Sequence, residues 1–349
     1  MGNRAREGAR MKTLHLLLVL ALASCGGRTE LGTIQDIVTL DSGGIETDGS
    51  CTDRVLATDK TGASAFAVDD EGRVYWGTAD GRVLRLEQGN STEIANVTTP
   101  VLFILLDATQ IYFSAYPETL YFGTKEGVIA PLTFGFVGPS LLAQDSNALY
   151  VVDEGTGGNG RILAVDKSSH AIKTLLQVTS SSATQVPSVG GLALDSSLAY
   201  VNALNGLISI PKVGGPPRTL VSGLHTTSNV VLSPTKAYFL DDDTWVWDTK
   251  LLAYDFASKS TSTIAHWAQT EGQDLTIDER FAYVTTHGMG AHNTADAIHR
   301  IALDGSKDEI WVTSDSPNVT YGFIRNDAQA VYWTAGTVTE DGSIHMKCK

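Results

Sequence analysis

Short apolar segments alternate with polar punctuation along most of the chain, and none of them keeps the period of about 3.6 that an amphipathic helix requires. The segments are rich in Val, Ile, Tyr and Thr and are cut by Gly, Asp and Ser, which predicts strands joined by tight turns. One phrase recurs: mostly apolar residues, an Asp, a few turn residues, then an apolar residue before Tyr. It reads AVDDEGRVY at 67–75, LLDATQIY at 105–112, AQDSNALY at 143–150 and ALDSSLAY at 193–200. It continues as LSPTKAY at 232–238, TIDERFAY at 276–283 and RNDAQAVY at 325–332. The tyrosines are Tyr75, Tyr112, Tyr150, Tyr200, Tyr238, Tyr283 and Tyr332, spaced 37 to 50 residues apart. A repeat of roughly 40–50 residues built from strands is the length of a four-stranded propeller blade.

The repeat around Tyr200 shows the blade in full. Gly191–Asp195 is read as the inner strand, Ala199–Ala203 as the second, Gly206–Pro211 as the third and Arg218–Ser222 as the outer one. The repeated Asp falls at the first turn, where a carboxylate accepts backbone N–H groups, so Asp69, Asp107, Asp145, Asp195, Asp278 and Asp327 are expected to be structural. Ser233 stands in their place in the fifth copy, and the tyrosines are expected to pack between blades. The last copy has a third strand, Gly342–Lys347, and then the chain ends, while Thr52–Thr58 has the pattern of an unassigned outer strand. The fold class expected is therefore an all-β, seven-bladed β-propeller over residues 51–349, closed by its N-terminal strand. Cys348 directly follows the third strand and Cys51 directly precedes the donated one, which predicts a Cys51–Cys348 disulfide across the closure.

The phrases Val74-Tyr75-Trp76-Gly77 and Val331-Tyr332-Trp333-Thr334 resemble the YWTD and NHL-type propeller repeats. That resemblance implies the propeller fold and places the chain beside many bacterial surface lipoproteins of unassigned activity. YWTD propellers usually have six blades, and seven copies are present here.

Residues 1–24 make a separate segment. A basic stretch ends at Lys12, and the apolar run Leu14–Leu22, broken by His15, is too short to span a bilayer, so it reads as an export signal; Met11 is a second candidate start. Its end, Leu22-Ala23-Ser24-Cys25, resembles the bacterial lipobox, which implies lipid attachment at Cys25 and cleavage just before it. Gly26 at the next position implies delivery to the outer membrane by the same resemblance. Residues 25–50 are then a polar tether, and acyl chains such as palmitate would hold the mature protein to the membrane.

Charge narrows the partners. The formal net charge is -14, and it becomes -17 without residues 1–24, which hold four basic residues and one acidic one. Such a body is repelled by nucleic acid and by an anionic lipid surface, which excludes nucleic acid as a partner. An envelope protein or a small ligand is expected instead, bound by a monomer.

In a propeller, connections between second and third strands share one face with the connections between blades. The long segments collect there: Glu154–Gly160, Thr179–Gly190, Asp241–Lys250, Thr286–Ala297 and Gly336–Asp341. Long loops at one end of a rigid scaffold are where binding concentrates. Three features on that face have candidate chemistry. Asp241, Asp242, Asp243 and Asp248 offer oxygen ligands suited to calcium, although no recognised calcium-loop spacing accompanies them and a solvated acidic loop is the simpler reading. His287 and His292, with His299 beyond, offer zinc ligands, but without a helical pair they are read first as surface histidines. Trp245 and Trp247 either pack between blades or form a stacking platform for a sugar or peptide. Gly155–Gly160 looks like a phosphate loop but leads into a strand, not a helix. No catalytic residue and no resident cofactor is assigned. A lipid-anchored binding scaffold is the preferred function, with a propeller hydrolase or lyase, lactonase-like and metal-dependent, as the alternative.

Overall fold

The computed structural model describes residues 53–349, except 154, 156–158, 180–188, 204, 244–245, 289–294, 315–318 and 338–341. All regular structure within them is β-strand. The first strand, β1 (Arg54–Asp59), precedes the blades. Blade 1 comprises β2 (Ala65–Val68), β3 (Val74–Gly77), β4 (Arg82–Glu87) and β5 (Asn90–Asn96). Blade 2 comprises β6 (Val101–Leu106), β7 (Gln110–Ala115), β8 (Thr119–Thr124) and β9 (Ile129–Phe134). Blade 3 is β10 (Pro139–Gln144), β11 (Ala148–Asp153), β12 (Asn159–Asp166) and β13 (Ile172–Thr179). Blade 4 is β14 (Val189–Leu194), β15 (Leu198–Ala203), β16 (Gly206–Pro211) and β17 (Arg218–Ser222). Blade 5 is β18 (Thr226–Leu232), β19 (Lys236–Asp243), β20 (Asp248–Asp255) and β21 (Ser260–Ala268). Blade 6 is β22 (Thr270–Ile277), β23 (Phe281–Gly288), β24 (Ala297–Ala302) and β25 (Asp308–Thr313). Blade 7 has β26 (Val319–Asn326), β27 (Ala330–Thr337) and β28 (Gly342–Cys348), and β1 completes it in the order β1-β28-β27-β26.

Seven antiparallel four-stranded sheets make the propeller that the repeats predict, with the predicted closure. Val55 pairs with His345 and Arg54 with Met346, so the first and last strands are hydrogen-bonded neighbours. Cys348 takes part in a disulfide; its predicted partner, Cys51, lies outside the described residues, as do the signal, Cys25 and the tether.

The core is a ring of seven packed layers, one in each junction between blades. The layer between blades 7 and 1 joins Ala57, Tyr332 and Ile344 to Phe66, Trp76 and Leu84. The layer between blades 5 and 6 joins Leu240, Leu251 and Trp267 to Leu275, Val284 and Ile301. Strand alternation explains this: each blade buries both faces against neighbours, so its middle strands are apolar on both sides.

One end of the ring, the turn face, carries the connections from first to second and from third to fourth strands. Here a single device repeats. Asp145 Oδ1 accepts the N–H groups of Asn147 and Ala148, and its Oδ2 accepts the Tyr150 hydroxyl at 2.9 Å. Asp107, Asp195, Asp278 and Asp327 repeat this arrangement with Tyr112, Tyr200, Tyr283 and Tyr332. A lysine that follows the third strand of the next blade then reaches back to the carboxylate. Lys125 meets Asp69, Lys167 meets Asp107, Lys212 meets Asp145 and Lys349 meets Asp278, at 3.0 to 3.4 Å. Lys167 also lies 4.6 Å above the Tyr112 ring. The six aspartates are structural, as expected, and each Asp–Tyr–Lys latch ties two blades together.

Burial resists ionisation of Asp145, yet the Asn147 N–H, the Lys212 ammonium, the Tyr150 hydroxyl and the Ala148 N–H outweigh it and hold the carboxyl at about 2. Asp69, Asp107, Asp195 and Asp278 are lowered by similar partners against the same burial cost. A lowered folded-state value means stability that is present above the ordinary 3.8 and lost as pH falls through the folded value. The urea midpoint is therefore expected to fall steeply between pH 4 and pH 2, with Asp145 alone accounting for about 2 kcal/mol. A midpoint that is flat across that window would remove the latches from the stability account.

Candidate binding face

Among the described residues, the opposite end, the loop face, has no Asp–Tyr–Lys latch. Each connection there differs in length and composition, and most of the segments outside the described residues belong to it. Blades 5 and 6 supply the described chemistry.

The acidic triplet is not a solvated loop. β19 and β20 continue pairing through Asp241 opposite Lys250, Asp242 opposite Thr249 and Asp243 opposite Asp248, so paired strand runs through most of the predicted loop. Alternation along the strand sends Asp241 and Asp243 to one side and Asp242 to the other. Asp241 Oδ1 accepts the His225 N–H at 2.7 Å, and the His225 ring lies 3.4 Å from both Asp241 and Asp243. Asp153, at the matching position of blade 3, accepts the Val137 N–H at 2.7 Å in the same way. Asp241 is thus a clamp on the connection between blades. Asp248 is engaged by His266 and by Lys250 at 3.2 Å.

Asp242 turns toward blade 6. It is buried and accepts hydrogen bonds from the Thr249 hydroxyl and, at 3.0 Å, from the Gly272 N–H. A Cβ at position 272 would stand 2.7 Å from Leu240 and 2.9 Å from Thr249, so glycine permits this approach of β22 to β19. Burial, reinforced by the charges of Glu271 and Asp241, raises the Asp242 carboxyl to about 6. A raised folded-state value means stability that declines as pH climbs from the ordinary carboxylate range through about 6. Asp242→Asn is expected to stabilise the protein by on the order of 2 kcal/mol at pH 8 and to change little at pH 4. Thermal melts at the two pH values check this, and equal shifts at both would remove ionisation as the cause.

His287 sits opposite Glu271 in the β22–β23 register. Its Nδ1 is 2.6 Å from Oδ1 of buried Asp296, whose Oδ2 accepts the Tyr321 N–H of blade 7 at 3.0 Å. The Asp296 hydrogen bond raises the His287 pKa above its ordinary value, against burial. A histidine oriented by a buried carboxylate is chemically equipped to hold or move a proton. His292 lies outside the described residues. His299 is elsewhere, bonded to Asp308 at 3.0 Å and packed on Trp267, with ring centroids 4.8 Å apart. Among the described residues, no group of three or more His, Cys, Asp or Glu side chains is placed to hold a metal ion.

Of the two candidate tryptophans, one lies among the described residues. Trp247 is half-buried in the turn with φ of 56°, and its carbonyl accepts the Thr270 N–H at 3.1 Å. Trp245 lies outside the described residues, and Val246 between them is 63% exposed.

On the inner strands, one sector is polar. Buried Asp274 accepts the Asn229 amide N–H on Oδ1 at 3.0 Å and both the Arg325 guanidinium, at 2.6 Å, and the Ile324 N–H on Oδ2. The neighbouring sector is aromatic, with Phe103 and Phe323 edge to face at 6.3 Å. Sequence reading misses His225, Glu271, Asp274, Asp296 and Arg325. The one available signal is positional: Asp241 and Asp153 both stand three residues after a repeat tyrosine.

In comparisons with known proteins, the strictosidine synthase-like family, in its N-terminal part, matches residues 65–86, which include the Val74–Gly77 phrase. No curated protein sequence matches the chain. Among solved structures, the fold is similar to an oligogalacturonate lyase from Vibrio parahaemolyticus, with a TM-score of 0.61 at 9% identity over 86% of this chain and 94% of that one. It is similar to YCF48 from Cyanidioschyzon merolae, with a TM-score of 0.60 at 11% identity over 85% and 98%. BamB from Moraxella catarrhalis gives a TM-score of 0.53 at 14% identity over 82% and 84%. Identities this low show a shared propeller fold and nothing finer.

Proposed function

We propose that this protein is a lipid-anchored component of the bacterial cell envelope that binds a partner protein or ligand through its loop face. The observation that carries the reading is the contrast between the two ends. The turn face repeats one closed structural device, whereas the described loop-face groups differ between blades, apart from the shared Asp153 and Asp241 clamps, and include the His287–Asp296 pair beside Glu271. The Leu22–Cys25 lipobox supports the anchor, and the polar residues 25–50 support a tether. The β1–β28 register, Arg54 opposite Met346, supports Cys51 as the disulfide partner of Cys348 when counted on toward both cysteines.

Two measurements test the reading. Cys25→Ser should move the protein from the membrane to the soluble fraction. A photo-crosslinking residue at Val246, on the loop face, should yield protein or ligand adducts in intact cells, and one at Val213, on the turn face, should not. Adducts confined to Val213 would sink the face assignment. The second reading, a propeller lyase or hydrolase, is favoured by the His287–Asp296 pair beside Glu271. Its mark would be turnover of an acidic oligosaccharide or a lactone that His287→Gln abolishes without altering the melt.

A further inference from the structure

Arg73, Arg82, Arg161 and Arg300 share one habit: each closes the edge of its guanidinium formed by Nε and Nη2 on carboxylates. Arg325 on β26 does not. Both of its hydrogen bonds come from Nη1, one to Asp274 Oδ2 at 2.6 Å and one to the Ile324 carbonyl at 2.6 Å. Those two bonds use both hydrogens of Nη1, while Nε and Nη2 meet no acceptor among the described residues. The guanidinium is nonetheless held in place. Its carbon lies over the rings of Phe66 and Phe323, at 5.8 and 5.9 Å from their centroids. Buried Asp274 is itself fixed by the Asn229 amide and the Ile324 N–H. The Arg325 side chain is 37% exposed, so solvent reaches it.

The surroundings of Arg325 turn toward the ring axis. Phe323 of blade 7 and Phe103 of blade 2 meet at 6.3 Å, although blade 1 stands between those blades and packs on both. Both rings come from innermost strands, so they meet in front of β2, on the axis side. Two bulges aim groups there. Register slips between Gly272 and Asp274 on β22 and between Tyr321 and Ile324 on β26, which takes Gln273 and Phe323 out of the ladder. Gln273 is exposed although its strand is innermost, and it adjoins Asp274. Blades 6, 7 and 2 thus bring an oriented cationic edge, an exposed amide and a pair of half-buried aromatic rings to one height of the inner strands.

We propose that this sector of the inner strands is a binding site for a small organic monocarboxylate with an apolar body. The carboxylate takes the Nε–Nη2 edge of Arg325, the same edge by which the four other arginines hold carboxylates within the protein. The apolar body lies against Phe103 and Phe323. Asp274 on Nη1 fixes the angle of that edge and also limits the charge of the ligand. Arg325 and Asp274 together are neutral, so a second carboxylate on the ligand would stand near Asp274 uncompensated. The site is separate from the loop-face partner proposed above and stands without it.

The test is calorimetric titration of the full-length protein with benzoate, and with benzamide as its uncharged counterpart. Benzoate should bind at one site, about tenfold more tightly than benzamide, which cannot make the charge-assisted pair. Phthalate, with its second carboxylate, should bind more weakly than benzoate, and tighter binding would overturn the monocarboxylate class. Arg325→Lys keeps a cation beside Asp274 and removes the two-pronged edge, so it should retain the parental melt and lose about tenfold in benzoate affinity. Arg325→Gln combined with Asp274→Asn removes both charges, leaves neither stranded, and should lose binding as well. Phe103→Leu should weaken benzoate several-fold, and Arg218→Gln, at an exposed arginine of β17, should leave it unchanged. Absence of saturable benzoate binding up to about 10 mM overturns the site. Equal affinity for benzoate and benzamide overturns it too, as does an Arg325→Lys protein of parental stability that binds benzoate undiminished.

Discussion

Replacing Cys348 with serine is expected to lower the thermal midpoint by about 8 °C, the largest effect of any single substitution away from the apolar layers. The bond to Cys348 lies at the last residue of β28, beside the strand that closes the ring. If Cys51 is its partner, the cross-link spans nearly the whole propeller, and in the chain-entropy account a loop that long stabilises by about 5 kcal/mol. For a domain of nearly 300 residues, an unfolding entropy of about 2.1 cal/mol/K per residue converts this into the stated shift. Cys51→Ser should match it, and the double variant should be no worse than either single one, since both remove the same bond. A non-reducing peptide map identifies the partner directly. A Cys348→Ser protein that melts within a degree of the parent would show that the hydrogen-bonded β1–β28 closure suffices unaided.

Asp69→Ala is expected to cost about 3–5 kcal/mol, read from the urea midpoint, because it strands a buried cation. Lys125 is only 6% exposed, and its ammonium lies 3.4 Å from Asp69 Oδ2. Arg73 and the Tyr75 hydroxyl share that carboxylate, so their partner is lost too. Lys125→Met should cost far less, since the Asp69 carboxylate keeps Arg73 and the backbone N–H groups of Glu71 and Arg73. The protein itself contains the control. In blade 5 the turn position is Ser233, which caps the Lys236 N–H at 3.0 Å, and the residue matching Lys125 in the next blade is Leu303. The pair Asp69→Ser with Lys125→Leu should therefore recover most of what Asp69→Ser alone loses. Strict additivity of the two substitutions would mean that the latch is not an energetic unit.

How far the sequence discloses the protein depends on the kind of feature. The blades are legible because the Asp-to-Tyr phrase is local: the turn carboxylate and the tyrosine hydroxyl that it binds lie five or six residues apart. The closure is legible because counting strands leaves one missing at the C-terminus and one spare at the N-terminus. The lysine of the latch is harder, since it acts on a carboxylate 56 to 71 residues away, although its place immediately after the third strand repeats in four blades. The Asp241–Asp243 segment is misread as a loop because acids are rare in paired strands. Its strand is stabilised by partners that the sequence keeps far apart, His225 and the Gly272 N–H. The His287–Asp296 pair is hidden for a related reason: its orienting contact is the Tyr321 N–H from another blade.

The order β1-β28-β27-β26 has a kinetic consequence. β1 is synthesised first among the strands, yet its hydrogen-bonding partner is synthesised last, with Arg54 and Met346 separated by 292 residues. Six blades are complete in local sequence and have neighbours to fold against as they emerge, while β1 stays an unpaired edge until the final residues arrive. A chain that stops short of β28 loses more than one strand: its first strand is left without a partner, and the layer between blades 7 and 1 loses Ile344 and Met346. Completion of the ring is therefore a readout of the intact C-terminus.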